Sequence, residues 1–215
     1  MRLNLPELLF VFVLFSVAGW LMESAYRSWK ARCRINPGLL TGPYLPIYGF
    51  GAVLLNAVRL QTPDPHFLFM TATVSSALPG VGTLLLSKPF LMVAHGFIQG
   101  IGFFIVTTSL EWVTGWALKR FLNVRLWDYS DQRWTFQGHI CLKYSLFWVA
   151  LAFASEYVLL PAALFLYEEV PPSWLRLSVV LATIMAIDFT RVTSRLWTEK
   201  PARRPLNESR REEVF

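Results

Sequence analysis

Charge is scarce in this sequence and unevenly placed. Only 16% of its 215 residues are Asp, Glu, Lys or Arg, whereas a soluble domain carries about 25%. Residues 35–58, 65–87 and 89–110 hold none, while residues 191–215 hold 11 of the 20 Lys and Arg and 14 Asp and Glu taken together. Such long neutral stretches exclude a soluble enzyme and a disordered chain. They also exclude a nucleic-acid-binding domain, despite the net charge of +6. Cysteine is nearly absent. Cys33 and Cys141 are too few for a disulfide framework. Both lie among Lys and Arg, so both are expected to face a reducing cytoplasm as free thiols. No G-x-x-x-x-G-K-[ST] phosphate loop occurs, so the chain cannot be its own ATPase. No H-E-x-x-H or comparable ligand spacing occurs, and neither a metal nor a cofactor is assigned.

What remains is apolar. Hydrophobic residues make up 54% of the chain and the mean hydropathy is +0.43. A membrane-crossing helix needs about 20 mostly apolar residues. Six segments stand out, at about 5–26, 46–60, 67–86, 90–118, 144–167 and 175–192. Backbone in lipid must satisfy its own hydrogen bonds, so the expected class is all-α, a polytopic transmembrane helix bundle. The first apolar run continues past the Ser16-Val17-Ala18 triplet and is read as a retained span, not a cleaved signal. Residues 1–197 are expected to form one membrane domain, and the polar tail 198–215 a disordered cytoplasmic extension.

Lys and Arg near the spans set orientation. The basic segments are 27–34, 119–143 and the tail after Arg191. All three can share the cytoplasm only if an even number of crossings separates 34 from 119, yet three apolar segments lie there. One is therefore expected to be a partial or re-entrant element. The Gly- and Pro-rich 46–60 segment and the Pro79-broken 67–86 segment are the candidates. The favoured arrangement has an outside N-terminus, five crossings, one partial element and a cytoplasmic C-terminus. Six full crossings would leave Arg27 to Arg34 outside.

Carboxylates at membrane depth cost about 2.5–3.5 kcal/mol each and mark function by default. Glu23, Glu111, Glu156 and Asp188 qualify. Glu23 shares a helical face with Ser16 and Gly19, and Arg27 sits four residues on, placed for an ion pair. Glu111 follows Thr107, Thr108 and Ser109. Upstream, His95 and Gln99 share a face and suggest an interhelical hydrogen-bond pair, and Gly96 with Gly100 suggests close helix packing. Glu156 lies on a small, polar stripe with Ser145, Ala152 and Ala163, either protonated or paired with a cation. Asp188 is expected to pair with Arg191. The loop 119–143 is the most polar stretch before the tail, yet it holds Trp127, Tyr129, Trp134 and Phe136. Asp128 and Asp131 beside Arg125 and Arg133 can form ion pairs there, and Gly138 can make the turn into the next span.

Four motifs occur in order over about residues 10–150. They are Gly19-Trp20-Leu21-Met22-Glu23 and Gly42-Pro43-Tyr44-Leu45-Pro46-Ile47-Tyr48-Gly49-Phe50-Gly51-Ala52, then Leu110-Glu111-Trp112-Val113-Thr114-Gly115, then Trp127-Asp128-Tyr129-Ser130-Asp131 with Gly138-His139-Ile140-Cys141. Together the chain resembles a family of bacterial membrane proteins assigned as ABC-transporter permeases (CmpB-like, type IV), with its G-W-x-x-E, G-P-x-x-P-I-Y-G-x-G-A, L-E-Y-x-x-G and W-D-Y-S-D…G-R-I-C signatures. The chain departs at Trp112, at Thr135 and Gln137 where asparagines are usual, and at His139 where an arginine is. About twenty extra residues lie between the second and third motifs.

The resemblance implies a permease subunit in the bacterial inner membrane, working with a separate ATPase. The loop 119–143 would be the docking surface, with Glu23, Glu111 and Glu156 along the route. The motif residues Gly19, Trp20, Gly42, Pro43, Pro46, Tyr48, Gly49, Gly115, Trp127, Tyr129, Ser130 and Gly138 would shape that site. The lipid bilayer and a homo- or hetero-oligomer are the other expected partners, and no nucleic acid. A non-catalytic scaffold or assembly factor is the second reading. An intramembrane enzyme using Glu111, Asp128 or His139 is the third, since no Ser-His-Asp, Cys-His or close carboxylate pair lies within one segment.

Overall fold

The computed structural model of the chain describes residues 3–61 and 88–198. The segment expected at 67–86, the extra residues before the third motif and the tail from 199 onward lie outside the described residues. The rest is mostly helical. Helix α1 is Leu5–Ala31, α2 is Pro46–Gln61 and α3 is Lys88–Leu122. A two-residue antiparallel pair follows, β1 Thr135–Phe136 against β2 Ile140–Cys141, with Thr135 opposite Cys141 and Phe136 opposite Ile140. Then come α4 (Leu142–Ala154), a π-helical turn (Ser155–Leu159), α5 (Leu160–Glu169) and α6 (Pro171–Thr198). Among the described residues three helices are long and apolar enough to cross a membrane, Leu5–Ala31, Met92–Leu122 and Leu142–Glu169.

Local chemistry sets these boundaries. Asn4 accepts from the Glu7 amide at 3.0 Å, and Glu7 reaches back to the Asn4 amide at 2.9 Å, a capping box that starts α1. Arg32 ends it in the left-handed region at φ 53. Pro37, Gly42-Pro43 and Pro46 keep residues 32–45 from continuing a helix. The π turn precedes Pro161, which has no N–H for the Tyr157 carbonyl, so the ladder widens by one residue just ahead of it.

The loop 32–45 does not swing away from α1. It packs back along it. The Ile35 amide donates to Ser28 Oγ (3.0 Å), Ser24 Oγ donates to the Ile35 carbonyl (2.9 Å) and the Trp20 indole donates to Asn36 Oδ1 (2.8 Å). Finally the Leu45 amide donates to the Ser16 carbonyl (2.8 Å). Loop numbers rise as α1 numbers fall, so α2 begins beside the midpoint of α1, not beside its end. It then runs antiparallel to α1, with Phe50 against Phe12 at 4.9 Å and Ala52 clustered with Phe10 and Phe15.

The remaining directions follow from contacts. Leu55 packs with Phe103, while a Cβ on Gly51 would meet Leu110 at 3.8 Å, so α3 is antiparallel to α2. Phe103 meets Phe153 at 5.1 Å and Gln99 meets Tyr157, so α4 and α5 reverse again. Trp174 lies 5.4 Å from Phe10 and Met185 clusters with Val13, so α6 is parallel to α1. The ends of α1, α3 and α6 and the start of α4 therefore share one end of the bundle, which gathers Lys30, Lys119, Arg120, Lys143 and Arg195.

Two packing expectations are corrected. Gly96 has nothing within 4 Å of an added Cβ and Gly100 meets only Phe153 at 3.6 Å, so among the described residues this Gly pair mediates no close helix approach. Asp188 does not pair with Arg191. Its carboxylate is filled from the other side, by the loop before α2. It accepts the Thr41 amide (2.9 Å) and hydroxyl (2.5 Å), the Gly42 amide (3.1 Å) and the Tyr44 hydroxyl (2.8 Å). Two amides and two hydroxyls aimed at one carboxylate are a better partner than an exposed guanidinium on the same helix.

Candidate functional site

Motif one sits on α1. Glu23 Oε1 accepts from Arg27 Nε at 2.8 Å, and Oε2 accepts from the Tyr48 hydroxyl at 2.9 Å. Gly19 makes this possible. Any Cβ there would overlap the Tyr48 ring, so only glycine lets α2 lay that ring on α1. Gly49 is equally confined, against the Phe12 carbonyl and Ser16 Oγ. Trp20, by contrast, faces the loop through Asn36.

Glu111 on α3 is 3% exposed. Its Oε1 accepts from the Tyr129 hydroxyl at 3.0 Å, the Trp148 indole faces the carboxylate, and Oε2 has no hydrogen-bond partner. Glu23 and Glu111 both line one cavity of about 430 Å³ between α1, α2, α3, α4 and α6. Tyr48, Trp127, Tyr129 and Trp148 form much of its wall. Tyr48 lies 5.3 Å from Trp148, and Tyr129 stacks on Tyr144 at 4.7 Å.

The fourth motif closes this end. The Trp127 indole donates to the His139 carbonyl (2.8 Å), and the Tyr129 amide donates to the Gly138 carbonyl (2.9 Å). Asp128 Oδ1 accepts the Ser130 amide (3.0 Å) and hydroxyl (2.6 Å), while Oδ2 pairs with Arg125. Burial alone would raise the Asp128 carboxyl. The Ser130 hydrogen bonds and Arg125 outweigh it and hold the group below the usual carboxylate range. Gly138 has φ +70, and a Cβ there would fall 2.6 Å from Ser130 Oγ, so glycine is required twice over. Gln137 is also left-handed at φ 55, a conformation that asparagine adopts more readily. His139 is buried against Gly115, where a Cβ would meet its Nδ1 at 3.0 Å. Burial, then Arg125 and Lys119, push its imidazole below its ordinary pKa. Trp134 and Phe136 point outward and are exposed. Among the described residues Asp131 and Arg133 form no ion pair, so only the Arg125–Asp128 half of that expectation appears.

The structure thus brings Glu23 and Glu111 together, with Asp128 one residue from the tyrosine that touches Glu111. It does not bring Glu156 to them. Glu156 is 1% exposed in the π turn and lies 3.6 Å from Arg59 of α2. It sits at the level of Gln99, about 18 Å along α3 from Glu111 at 1.5 Å per residue. The small stripe on α4 selects a buried face but not a depth, which is why Glu156 and Glu111 looked like one route. Gln99 makes the interhelical hydrogen bond expected on its face, accepting from Tyr157. Arg59 was the missed partner, and its only sequence signal is its position as the first charge after a neutral run. Gly42, Pro43 and Pro46 shape the loop before α2 and carry no reactive group. Among the described residues no three His, Cys, Asp or Glu side chains converge as metal ligands.

No curated protein and no solved structure matches this chain. The family described as "Putative ABC-transporter type IV" matches residues 10–193, which include all four motifs, the cavity and the Asp188 clamp. The chain belongs to that family of ABC-transporter-related membrane proteins.

Proposed function

We propose that this chain is the membrane subunit of an ABC-type transporter in a bacterial inner membrane, working with a separate ATPase that grips the 123–141 loop. One observation carries the reading: Tyr129, held in that loop beside Asp128, reaches into the cavity and bonds Glu111. A partner that shifts the loop shifts the cavity wall directly. The route is the cavity between Glu23 and Glu111.

The helix directions support the five-crossing topology. The 67–86 candidate for the partial element lies outside the described residues, while residues 32–45 return along α1 and α2 runs on to the far end, so loop and α2 together make one crossing that begins with irregular backbone. Such backbone is tolerated at depth because α1 and α6 bury its polar groups. With the Lys- and Arg-rich end in the cytoplasm, residues 1–197 form the membrane domain and 198–215 a cytoplasmic tail.

The test is purification from native membranes with and without a non-hydrolysable ATP analogue. The expected result is a co-purifying subunit bearing a phosphate loop, whose ATP hydrolysis persists in the complex. Tyr129→Phe should keep the complex and alter its hydrolysis. Asp128→Ala should lose the complex while the chain still accumulates. Assembly without any ATPase, with both variants unchanged, would replace the transporter reading by a scaffold.

A further inference from the structure

The cavity between Glu23 and Glu111 has an uneven polar inventory. Several of its donors already serve carboxylates: Arg27 Nε and the Tyr48 hydroxyl both serve Glu23, at 2.8 and 2.9 Å, the Tyr129 hydroxyl serves Glu111 at 3.0 Å, and the Trp148 indole faces Glu111. The Trp127 indole serves the His139 carbonyl at 2.8 Å. Among the buried side-chain nitrogens and oxygens of the described residues that line this cavity, Glu111 Oε2 lacks a hydrogen-bond partner. Other buried atoms lacking a partner, such as Gln99 Nε2 and the Glu156 oxygens, belong to residues that do not line this cavity. Charge points the same way. Glu23 is balanced by Arg27, whereas among the described residues no Lys or Arg forms an ion pair with Glu111.

A buried carboxylate needs a cationic or donor partner. The walls around it are aromatic faces, Tyr48, Tyr129, Trp127 and Trp148, which attract cations through their quadrupoles. An anion would find the opposite. The first turn of α2 opens on this cavity and carries about half a positive charge. However, Arg27 Nε and the Tyr48 and Tyr129 hydroxyls that could assist it are already bonded to carboxylates.

The geometry points to this cavity as a binding site for a monovalent ammonium on an apolar body, with Glu111 as its counter-ion. The inference names the ligand class for the route in the transporter reading and rests on that reading for its physiological meaning. The shared chemistry, an alkylammonium, belongs both to free lipophilic amines and to aminophospholipid headgroups.

Binding is therefore measured on the purified full chain, without any ATPase, in nanodiscs of phosphatidylglycerol alone. The probe is benzyltrimethylammonium, read by intrinsic tryptophan fluorescence and calorimetry. Saturable binding is expected, with the neutral isostere neopentylbenzene and the anion benzylsulfonate at least about tenfold weaker. Glu111→Gln should weaken the cation by roughly 30-fold or more, since the lost partner is a desolvated charge, and Glu111→Asp should retain most of it. If Glu111→Gln does not accumulate, the comparison of the three probes on the wild-type chain decides. Adding phosphatidylethanolamine to the nanodiscs separates the sources: competition identifies the headgroup, and no competition identifies a free amine. Equal binding of cation and neutral isostere, preference for the anion, or a Glu111→Gln protein that binds as wild type would overturn the inference. Absence of an ATPase partner alongside normal cation binding would instead remove only the transporter reading.

Discussion

Asp188 on α6 and Thr41, 147 positions earlier in the chain, are joined twice, through the Thr41 amide at 2.9 Å and its hydroxyl at 2.5 Å. With Gly42 and Tyr44 the carboxylate holds the turn that precedes α2. That turn decides where α2 starts, and therefore where Tyr48 meets Glu23. The clamp is thus structural support for the cavity, supplied by α6, whose Met185 and Phe189 also line it.

Removing the acceptor leaves buried donors unanswered. Asp188→Ala should destabilise the purified protein by roughly 2–4 kcal/mol, seen as a fall of several degrees in thermal unfolding. Thr41→Val alone should cost less, because the amides of residues 41 and 42 and the Tyr44 hydroxyl, three donors, remain. A double-mutant cycle between Thr41→Val and Asp188→Asn should show a coupling above about 0.5 kcal/mol. Additive effects would show that the contact contributes nothing to stability.

Little of this clamp was legible in the sequence. Asp188 has Arg191 one turn away, and local spacing favours the local partner. Nothing in a single sequence links position 188 to position 41. Helices α1, α2, α3 and α4 were legible because each is a neutral run bounded by charge or proline, although the structure extends α1 to Ala31 and α6 from Pro171 to Thr198. The π turn was not, since Pro161 signals a perturbed helix without saying how the ladder adjusts. The meeting of Glu23 with Glu111 could be suspected from polar residues needing partners in lipid. The tyrosines that mediate it required the fold.

Glycines separate by what lies above them. Gly49→Ala would drive a methyl into the Phe12 backbone carbonyl and should sharply reduce folded protein in the membrane. Gly51→Ala meets only Leu110 Cδ2, at 3.8 Å, an ordinary contact, and should change stability by less than about 1 kcal/mol. Comparing abundance and thermal unfolding of the two variants checks this. Equal tolerance would mean that α1 and α2 are not in close contact at Gly49.

The 123–141 loop should loosen in mild acid. Burial, with Arg125 and Lys119, depresses the folded-state pKa of His139 below its unfolded value of about 6.5. The unfolded loop then binds the proton first as pH falls. The contribution is intact above about 6.5 and is lost progressively as pH drops toward the depressed folded value. Asp128, also depressed, adds a second loss, below the ordinary carboxylate range. Amide hydrogen exchange across the loop between pH 7.5 and 5, corrected for intrinsic rates, should rise, and His139→Gln should flatten that step. Exchange independent of pH in the wild-type chain would contradict it.

The two cysteines test orientation and packing together. Cys33 follows α1 and is exposed, whereas Cys141 ends the β1–β2 pair and is 1% exposed. Both stand at the Lys- and Arg-rich end of the bundle. A membrane-impermeant maleimide should therefore modify neither in intact cells. After permeabilisation it should modify Cys33 rapidly and leave Cys141 untouched until the protein is denatured. Mass spectrometry of the two peptides distinguishes them without any substitution. Modification of Cys33 in intact cells would invert the proposed topology, putting the Asp128 loop outside, where no cytoplasmic ATPase could reach it. Rapid labelling of Cys141 after permeabilisation would leave the topology standing. It would show instead that the loop is open, so that Tyr129 could not hold Glu111 in the manner the coupling requires.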